Sequence, residues 1–244
     1  MKAVVLAGGK GTRLAPYTRI IPKPMLPVGD RAILEIMLLQ MKRAGIEEVI
    51  LTVGHLSGLM KAYFQDGQQL GLRICYSYES HPLGTAGPLA LIEGLEETFL
   101  VTNGDVLTTL SLTDLIKFHD QSGGIATIAT HRRKVFIDLG VIHVNGGHEI
   151  VDYIEKPTLE YQVSMGIYVF EPRVLRYITK GEYLDFPDLV KNLLAVGEKV
   201  VAYPFDGYWK DLGRPDDYEQ ANLDFEQIRN QILPEEPTWN GEYL

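Results

Sequence analysis

The chain has 244 residues and 45% hydrophobic content, enough for one large α/β domain or two small ones with a real core, which excludes disorder as the default. Its 23 basic and 32 acidic side chains give a net charge of −9, which argues against nucleic acid or an anionic membrane as main partner but leaves nucleotides open, since these need only local positive charge. The single cysteine, Cys75, is expected to be a small buried apolar residue in a reducing, cytoplasmic compartment. Met1-Lys2 is expected to enter a strand rather than a leader, and no run reaches the roughly twenty apolar residues of a membrane span.

Lys2-Ala-Val-Val-Leu-Ala7 has no polar alternation, the mark of a strand buried on both faces of a parallel sheet, whose ligands sit at the strands' carboxyl ends. From that end leaves Gly8-Gly-Lys-Gly-Thr-Arg-Leu14. Gly8, Gly9 and Gly11 let main-chain amides approach an anion, and Lys10, Arg13 and, further on, Lys23 add positive charge. The loop is neither a P-loop, lacking the Gly-Lys-Ser/Thr ending, nor a dinucleotide fingerprint, since Leu14 occupies the last glycine position. Pro22-Lys-Pro-Met-Leu-Pro-Val-Gly29 is stiff and extended. Asp30 reads as the N-cap of a buried helix from Arg31 to Ala44, stopped by Gly45.

A strand at Val49–Val53, an amphipathic helix at Ser57–Phe64 and a strand at Leu72–Tyr76 follow, an order that implies right-handed crossovers and a doubly wound sheet. The second glycine-bearing loop, Glu79 to Gly87, is expected to start a helix near Thr85 that runs through Pro88–Leu95. The strand Phe99–Thr102 delivers Asn103-Gly-Asp105 to the same edge. A helix at Leu112–Gln121 and a strand at Ile125–Ala129 come next. From Arg132 the pattern alternates: Gly140–Val144, the turn Asn145-Gly-Gly147 and Glu149–Glu155 predict an antiparallel hairpin. Strands at Val163–Phe170 and Lys199–Tyr203, a helix at Phe186–Val196 and a last helix from Asp216 to about Phe225 complete the reading; the tail, with Pro234, Pro237 and Trp239, shows no periodicity.

Polar insertions therefore gather at strand ends: the glycine loop, Pro22-Lys-Pro24, Asn103-Gly-Asp105, Glu155-Lys-Pro157 and Trp209-Lys-Asp211. At these residues the sequence resembles the sugar-1-phosphate nucleotidyltransferases nearly end to end, from Leu6-Ala-Gly-Gly-Lys-Gly-Thr-Arg-Leu14 to Trp209-Lys-Asp-Leu-Gly-Arg-Pro215, and mannose-1-phosphate guanylyltransferase-like members in particular. The resemblance implies a Rossmann-like three-layer α/β sandwich, with a mixed, mostly parallel sheet and an antiparallel sugar-binding subregion. It implies one domain over 1–244, with a nucleotide half at about 1–130, a sugar half at about 131–225 and a tail at 226–244. The implied reaction is NTP plus sugar 1-phosphate to NDP-sugar plus pyrophosphate, with Mg²⁺.

Such an acceptor brings its own ionised oxygen, so the task is alignment and charge neutralisation. Amides of Gly8 to Thr12 would hold the triphosphate, Arg13 and Lys23 would act on the phosphates, and Asp105 and Asp211 would share the metal. By resemblance Leu6, Ala7, Gly84 and Asn103 line the nucleotide side, Lys156 contacts the sugar phosphate, Glu155 a sugar hydroxyl, and Gly140 and Gly166 approach the pyranose. Each residue alone has a plainer reading: Lys23 as a solvated loop residue, Asp105 and Asp211 as turn residues, Glu155-Lys156 as a hairpin-end ion pair. The six histidines lack metal-ligand spacing and read as structural or exposed, and Trp209 as core or pocket wall.

Ser164-Met165-Gly166 stands where the family commonly carries Asn-Ala-Gly, so the sugar is not carried over, and Lys210 adds charge beside Asp211. Pro82-Leu-Gly-Thr-Ala-Gly87 resembles the guanylyl branch, which favours GTP over UTP, dTTP or CTP. A non-sugar phosphate acceptor and a non-catalytic nucleotide-sugar sensor are the competing functions. No hexapeptide-repeat extension is seen, so control by such a module is not expected, and the tail would close over the domain or pack on a second copy as a homo-oligomer.

Overall fold

The computed structural model describes residues 1–233; Pro234, Pro237 and Trp239 of the tail lie outside the described residues. In chain order the elements are β1 (Lys2–Ala7), β2 (Pro27–Val28), β3 (Arg31–Ala32), α1 (Ile33–Arg43), β4 (Glu48–Val53), α2 (Ser57–Phe64), β5 (Arg73–Tyr78), β6 (Phe99–Asn103), β7 (Val106–Thr108) and α3 (Leu112–Ser122). There follow β8 (Ala126–Phe136), β9 (Val141–Val144), β10 (Ile150–Ile154), β11 (Thr158–Phe170), α4 (Phe186–Ala195), β12 (Val200–Phe205), β13 (Trp209–Asp211) and α5 (Pro215–Ile232).

A seven-stranded sheet in the order β12-β8-β11-β6-β1-β4-β5 forms the middle layer. β11 runs antiparallel to β6 and β8, while the other pairings are parallel, so the sheet is mixed and mostly parallel as expected. The two-residue period of a strand explains the layering. In β1, Ala3, Val5 and Ala7 enter one core with Leu34, Leu38 and Met41 of α1, Phe64 of α2 and Leu115 of α3. Val4 points the other way, toward Phe99, Phe170 and the α4 residues Phe186, Leu189 and Leu193. A third cluster packs Ala221, Phe225 and Ile228 of α5 against Ile33, Ile36 and Leu39 of α1.

Some local expectations are corrected. Asp30 does not cap α1, whose N-cap position is Ala32; its carboxylate instead accepts from the buried Arg229 guanidinium at 2.5 and 3.1 Å, a partner 199 residues away. This tie, with Arg229 5.6 Å over the Phe225 ring, fixes α5, and α5 runs beyond Phe225 to Ile232. No α-helix starts near Thr85; a short 3₁₀ turn, Gly87–Leu91, stands there. Thr85 spends its side chain on α4 instead: its hydroxyl accepts from the Phe186 amide at 2.8 Å and donates to Asp185 at 3.1 Å. Cys75 is half-buried rather than buried, and β8 and β11 are much longer than expected. Among the described residues no helix is long and apolar enough to cross a membrane.

Candidate active site

The carboxyl ends of β1 and β6 lie side by side, with Leu6 opposite Asn103 in register, and the Gly104 amide donates to the Leu6 carbonyl at 2.9 Å. The glycine loop therefore leaves the sheet beside Asn103-Gly-Asp105. Gly11 takes a φ of +60° and its carbonyl accepts from the Thr18 hydroxyl at 2.8 Å, while a Cβ there would press on Thr18 and Lys23 at 3.0–3.3 Å. The chain then makes a single turn over Thr12–Leu14 that buries Leu14 and leaves Arg13 exposed.

Asp211 arrives from much later in the chain because β13 pairs antiparallel with β7, Asp211 opposite Val106, and the Leu212 amide donates to the Asp105 carbonyl at 3.0 Å. Lys23 sits between the two acids. Its ammonium is paired with the Asp105 carboxylate and lies 3.9 Å from Asp211, with only 10% of its side chain exposed. The surrounding cleft and then the Asp105 charge push the Asp211 carboxyl above its usual range, against the opposing pull of Lys23 and Arg13. With 51% of its side-chain surface open, Asp211 keeps access to a ligand. A Cβ at Gly213 would stand 3.0 Å from both the Arg13 guanidinium and Asp211, so the absence of a side chain there lets that arginine lie close to the acid.

Three cavities adjoin along this edge. The first, about 580 Å³, is lined by Leu6, Gly8, Gly9, Gly84, Asn103 and Asp105, together with Glu79, Tyr183 and Asp185. The second, about 260 Å³, is lined by Leu6, Ala7, Gly9, Gly11, Thr12, Arg13, Lys23 and Asp105. The third, about 390 Å³, shares Arg13 with the second and continues past Asp211 and Trp209. The expected triphosphate-side and metal residues are thus brought together, and Trp209 is a wall, its indole N–H donating to the Met165 carbonyl at 3.0 Å. Gly166 joins them: with φ +74° at a bulge of β11, it packs so closely on Asn103 that a Cβ would lie 2.5 Å from the amide nitrogen.

Gly140, Glu155 and Lys156 are not brought to these cavities. They cluster at the base of the β9–β10 hairpin, where Gly140 abuts the Tyr153 hydroxyl, that hydroxyl donates to Glu155 at 3.3 Å, and Lys156, at φ +46°, pairs with Asp138 at 2.9 Å. Of the histidines, His119 is buried between Thr127 (2.8 Å) and Glu171 (3.1 Å), away from the cavities.

Sequence reasoning passed over Glu79, Asp185 and the run Arg132-Arg133-Lys134. Both oxygens of Asp185 are engaged: Oδ1 accepts from the amide and hydroxyl of Thr85 and Oδ2 from Tyr183 at 2.6 Å, and the tyrosine bond foremost holds its carboxyl below the usual range. Glu79 Oε2 accepts from the Leu83 amide at 3.1 Å, while Oε1 lies beside Gly8, facing the first cavity. The available signal was position, since Glu79 follows the carboxyl end of β5, and charge, since Arg132–Lys134 is the longest run of cations in the chain.

A divalent cation fits the acids but does not find a complete shell in them. Among the described residues no group of three or more His, Cys, Asp or Glu side chains gathers to hold a metal. Asp105 and Asp211 are two hard oxygen donors whose mutual repulsion a cation would relieve, and phosphate oxygens of a ligand would complete its coordination.

The nucleotidyl transferase family model matches residues 2–228. The chain is 36% identical over 96% of its length to a UTP–glucose-1-phosphate uridylyltransferase of Synechocystis sp., and 38% identical over 91% to a mannose-1-phosphate guanylyltransferase of Mycobacterium tuberculosis. It covers 66% and 64% of those two proteins, so it spans a little under two thirds of each. In fold it is similar to a Bacillus anthracis structure assigned as a glucose-1-phosphate thymidylyltransferase, with a TM-score of 0.75 at 24% identity, covering 91% of this chain and 94% of that one.

Proposed function

We infer that this chain, which belongs to the nucleotidyl transferase family, transfers a nucleotidyl group from an NTP to a sugar 1-phosphate, releasing pyrophosphate. The observation that carries the reading is the convergence of Arg13, Lys23, Asp105 and Asp211 beside the open main chain of Gly8–Gly11. No histidine or serine nucleophile is needed, because an oxygen of the acceptor phosphate attacks the α-phosphorus. The bond to the bridging oxygen breaks and its electron pair leaves with pyrophosphate. Amides of the glycine loop hold the triphosphate, Lys23 spans phosphate oxygens, and Arg13 offsets the charge shared by the α-phosphate and the departing group. Asp105 and Asp211 are the pair that would hold Mg²⁺, which when bound supplies charge neutralisation at the phosphate oxygens. Gly166, which packs on Asn103 of the nucleotide side, marks the acceptor edge, whereas Gly140, Glu155 and Lys156 sit at the base of the β9–β10 hairpin, outside the three cavities.

The donor we propose is GTP. The Glu79 carboxylate faces the first cavity with one oxygen uncommitted. Guanine presents two adjacent N–H donors, a match for a carboxylate, whereas uracil and thymine present one N–H between two carbonyls that a carboxylate repels. Pyrophosphate release over a grid of GTP, UTP, dTTP and CTP against common sugar 1-phosphates tests both levels. The expected outcome is the highest kcat/KM with GTP and a shift toward UTP or dTTP in Glu79→Gln. No turnover with any pair sinks the transferase; a wild-type preference for UTP or dTTP sinks the guanine assignment alone.

A further inference from the structure

The third cavity is far more positive than a neutral sugar would require. Arg13, Arg132, Arg133, Lys134, Lys210 and Arg214 line it, against the acids Asp211 and Asp217. Two of the cations have partial compensation from outside the lining: Arg132 lies 3.8 Å from Asp206, and Lys134 3.1 Å from Glu160. Arg133, Lys210 and Arg214 have no ion pair among the described residues. In a chain of net charge −9, such a concentration of like charge repels itself, and an anionic occupant offsets that cost.

Three features fix which occupant. The cavities run in order from Glu79 and Asn103, through the glycine loop, to the basic one, with Leu6, Gly9 and Asp105 shared by the first two and Arg13 by the last two. The second cavity already offers amides, Lys23 and Arg13 to the triphosphate. The third opens beyond Asp211 along Trp209, which is tied to Met165, the neighbour of Gly166 on the acceptor edge. A neutral sugar needs paired donors and acceptors for its hydroxyls; guanidinium groups instead match the two-oxygen face of a carboxylate or phosphate.

Resting on the function proposed above, we infer that the acceptor sugar 1-phosphate carries a second anionic group, a carboxylate or a second phosphate, and that the cavity of Arg133, Lys210 and Arg214 receives it. Selection is by the charge on the sugar's far side.

The test measures pyrophosphate release by the wild-type chain with the favoured NTP and Mg²⁺, using stereochemically matched hexose 1-phosphate, hexuronic acid 1-phosphate and hexose 1,6-bisphosphate. One of the two acceptors with a second anionic group is expected to exceed the hexose 1-phosphate by about tenfold or more in kcat/KM, the size of one charge-assisted hydrogen bond. Which of them wins distinguishes carboxylate from phosphate. Arg133→Gln and Arg214→Gln are each expected to erase most of that advantage while turnover of the hexose 1-phosphate stays within about twofold. Equal kcat/KM for all three acceptors overturns the inference and leaves the proposed function standing. Variants that raise the KM for pyrophosphate in the reverse reaction, with acceptor preference intact, also overturn it, because the cavity then belongs to the leaving group. Turnover of no acceptor at all overturns the proposed function, and the inference falls with it.

Discussion

The two sides of the cleft are built on different physical terms. On the side proposed to take the nucleotide, β1, β4 and β6 are buried on both faces; β1 and β6 carry Leu6 and Asn103, and the turn directly after β6 carries Asp105. On the other side, β9 and β10 are exposed nearly throughout, with Ile142, Val144, Ile150 and Tyr153 facing solvent, and the outer parts of β8 and β11 are exposed as well. A close-packed core holds geometry to within fractions of an ångström, whereas a two-stranded ribbon without a core beneath it is marginal on its own. The contrast teaches that the residues proposed for phosphate chemistry are placed by the core, while the exposed antiparallel strands that bear Gly140, Glu155 and Lys156 are held by little beyond their own pairing.

Stability measurements can break this comparison directly. Phe170→Ala, in the fully buried aromatic cluster with Phe99 and Phe186, is expected to cost about 3–5 kcal/mol in denaturant unfolding. Ile150→Ala on the hairpin is expected to stay within about 0.5 kcal/mol. A comparable loss at Ile150 would mean that the hairpin is as firmly packed as the core.

A smaller effect sharpens the same point where α5 meets the turn before β3. Asp30→Asn is expected to cost about 1–3 kcal/mol, because the buried Arg229 guanidinium exchanges a two-oxygen carboxylate for a neutral amide. Arg229, through its hydrogen bonds, holds the Asp30 carboxyl below the usual range. The stabilisation it gives is therefore full above the ordinary carboxylate pKa and is lost as pH falls through the lowered folded-state value. The stability gap between wild type and Asp30→Asn should close on acidification over that window; a gap independent of pH would refute the pair's contribution.

What was legible in the sequence follows from the range of the interactions involved. β1 and the glycine loop could be read because a strand without alternation and a glycine turn are local signals, and α1 was located to within two residues at its start. Asp30 was misread because Arg229, which claims it, is 199 residues away. Thr85 was misread for the same reason: its partners Asp185 and Phe186 lie about a hundred residues on, and they take the hydroxyl that a local helix would have used as a cap. Asp105 and Asp211 were each legible as polar residues at strand ends, but their meeting depends on the β7–β13 pairing, and the position of Lys23 between them is a fact of packing alone. The basic cavity was hidden because the strand at Ile125–Ala129 was expected to stop before Arg132, whereas β8 runs on to Phe136 and brings Arg132–Lys134 beside Trp209 and Lys210.

The central claim, that the Lys23–Asp105–Asp211 cluster performs nucleotidyl transfer, is tested most directly by pyrophosphate release from wild type, Asp105→Asn and Asp211→Asn across pH, with Mg²⁺ and with chelator. The account predicts that each variant loses about 10²–10³ in kcat with folding intact and that chelator abolishes wild-type turnover. Because the Asp211 carboxyl is raised in the metal-free chain, Mg²⁺ has to displace a proton there, and the Mg²⁺ concentration giving half-maximal turnover is expected to rise on acidification. Near-normal turnover by either variant, or turnover indifferent to chelator, would contradict it.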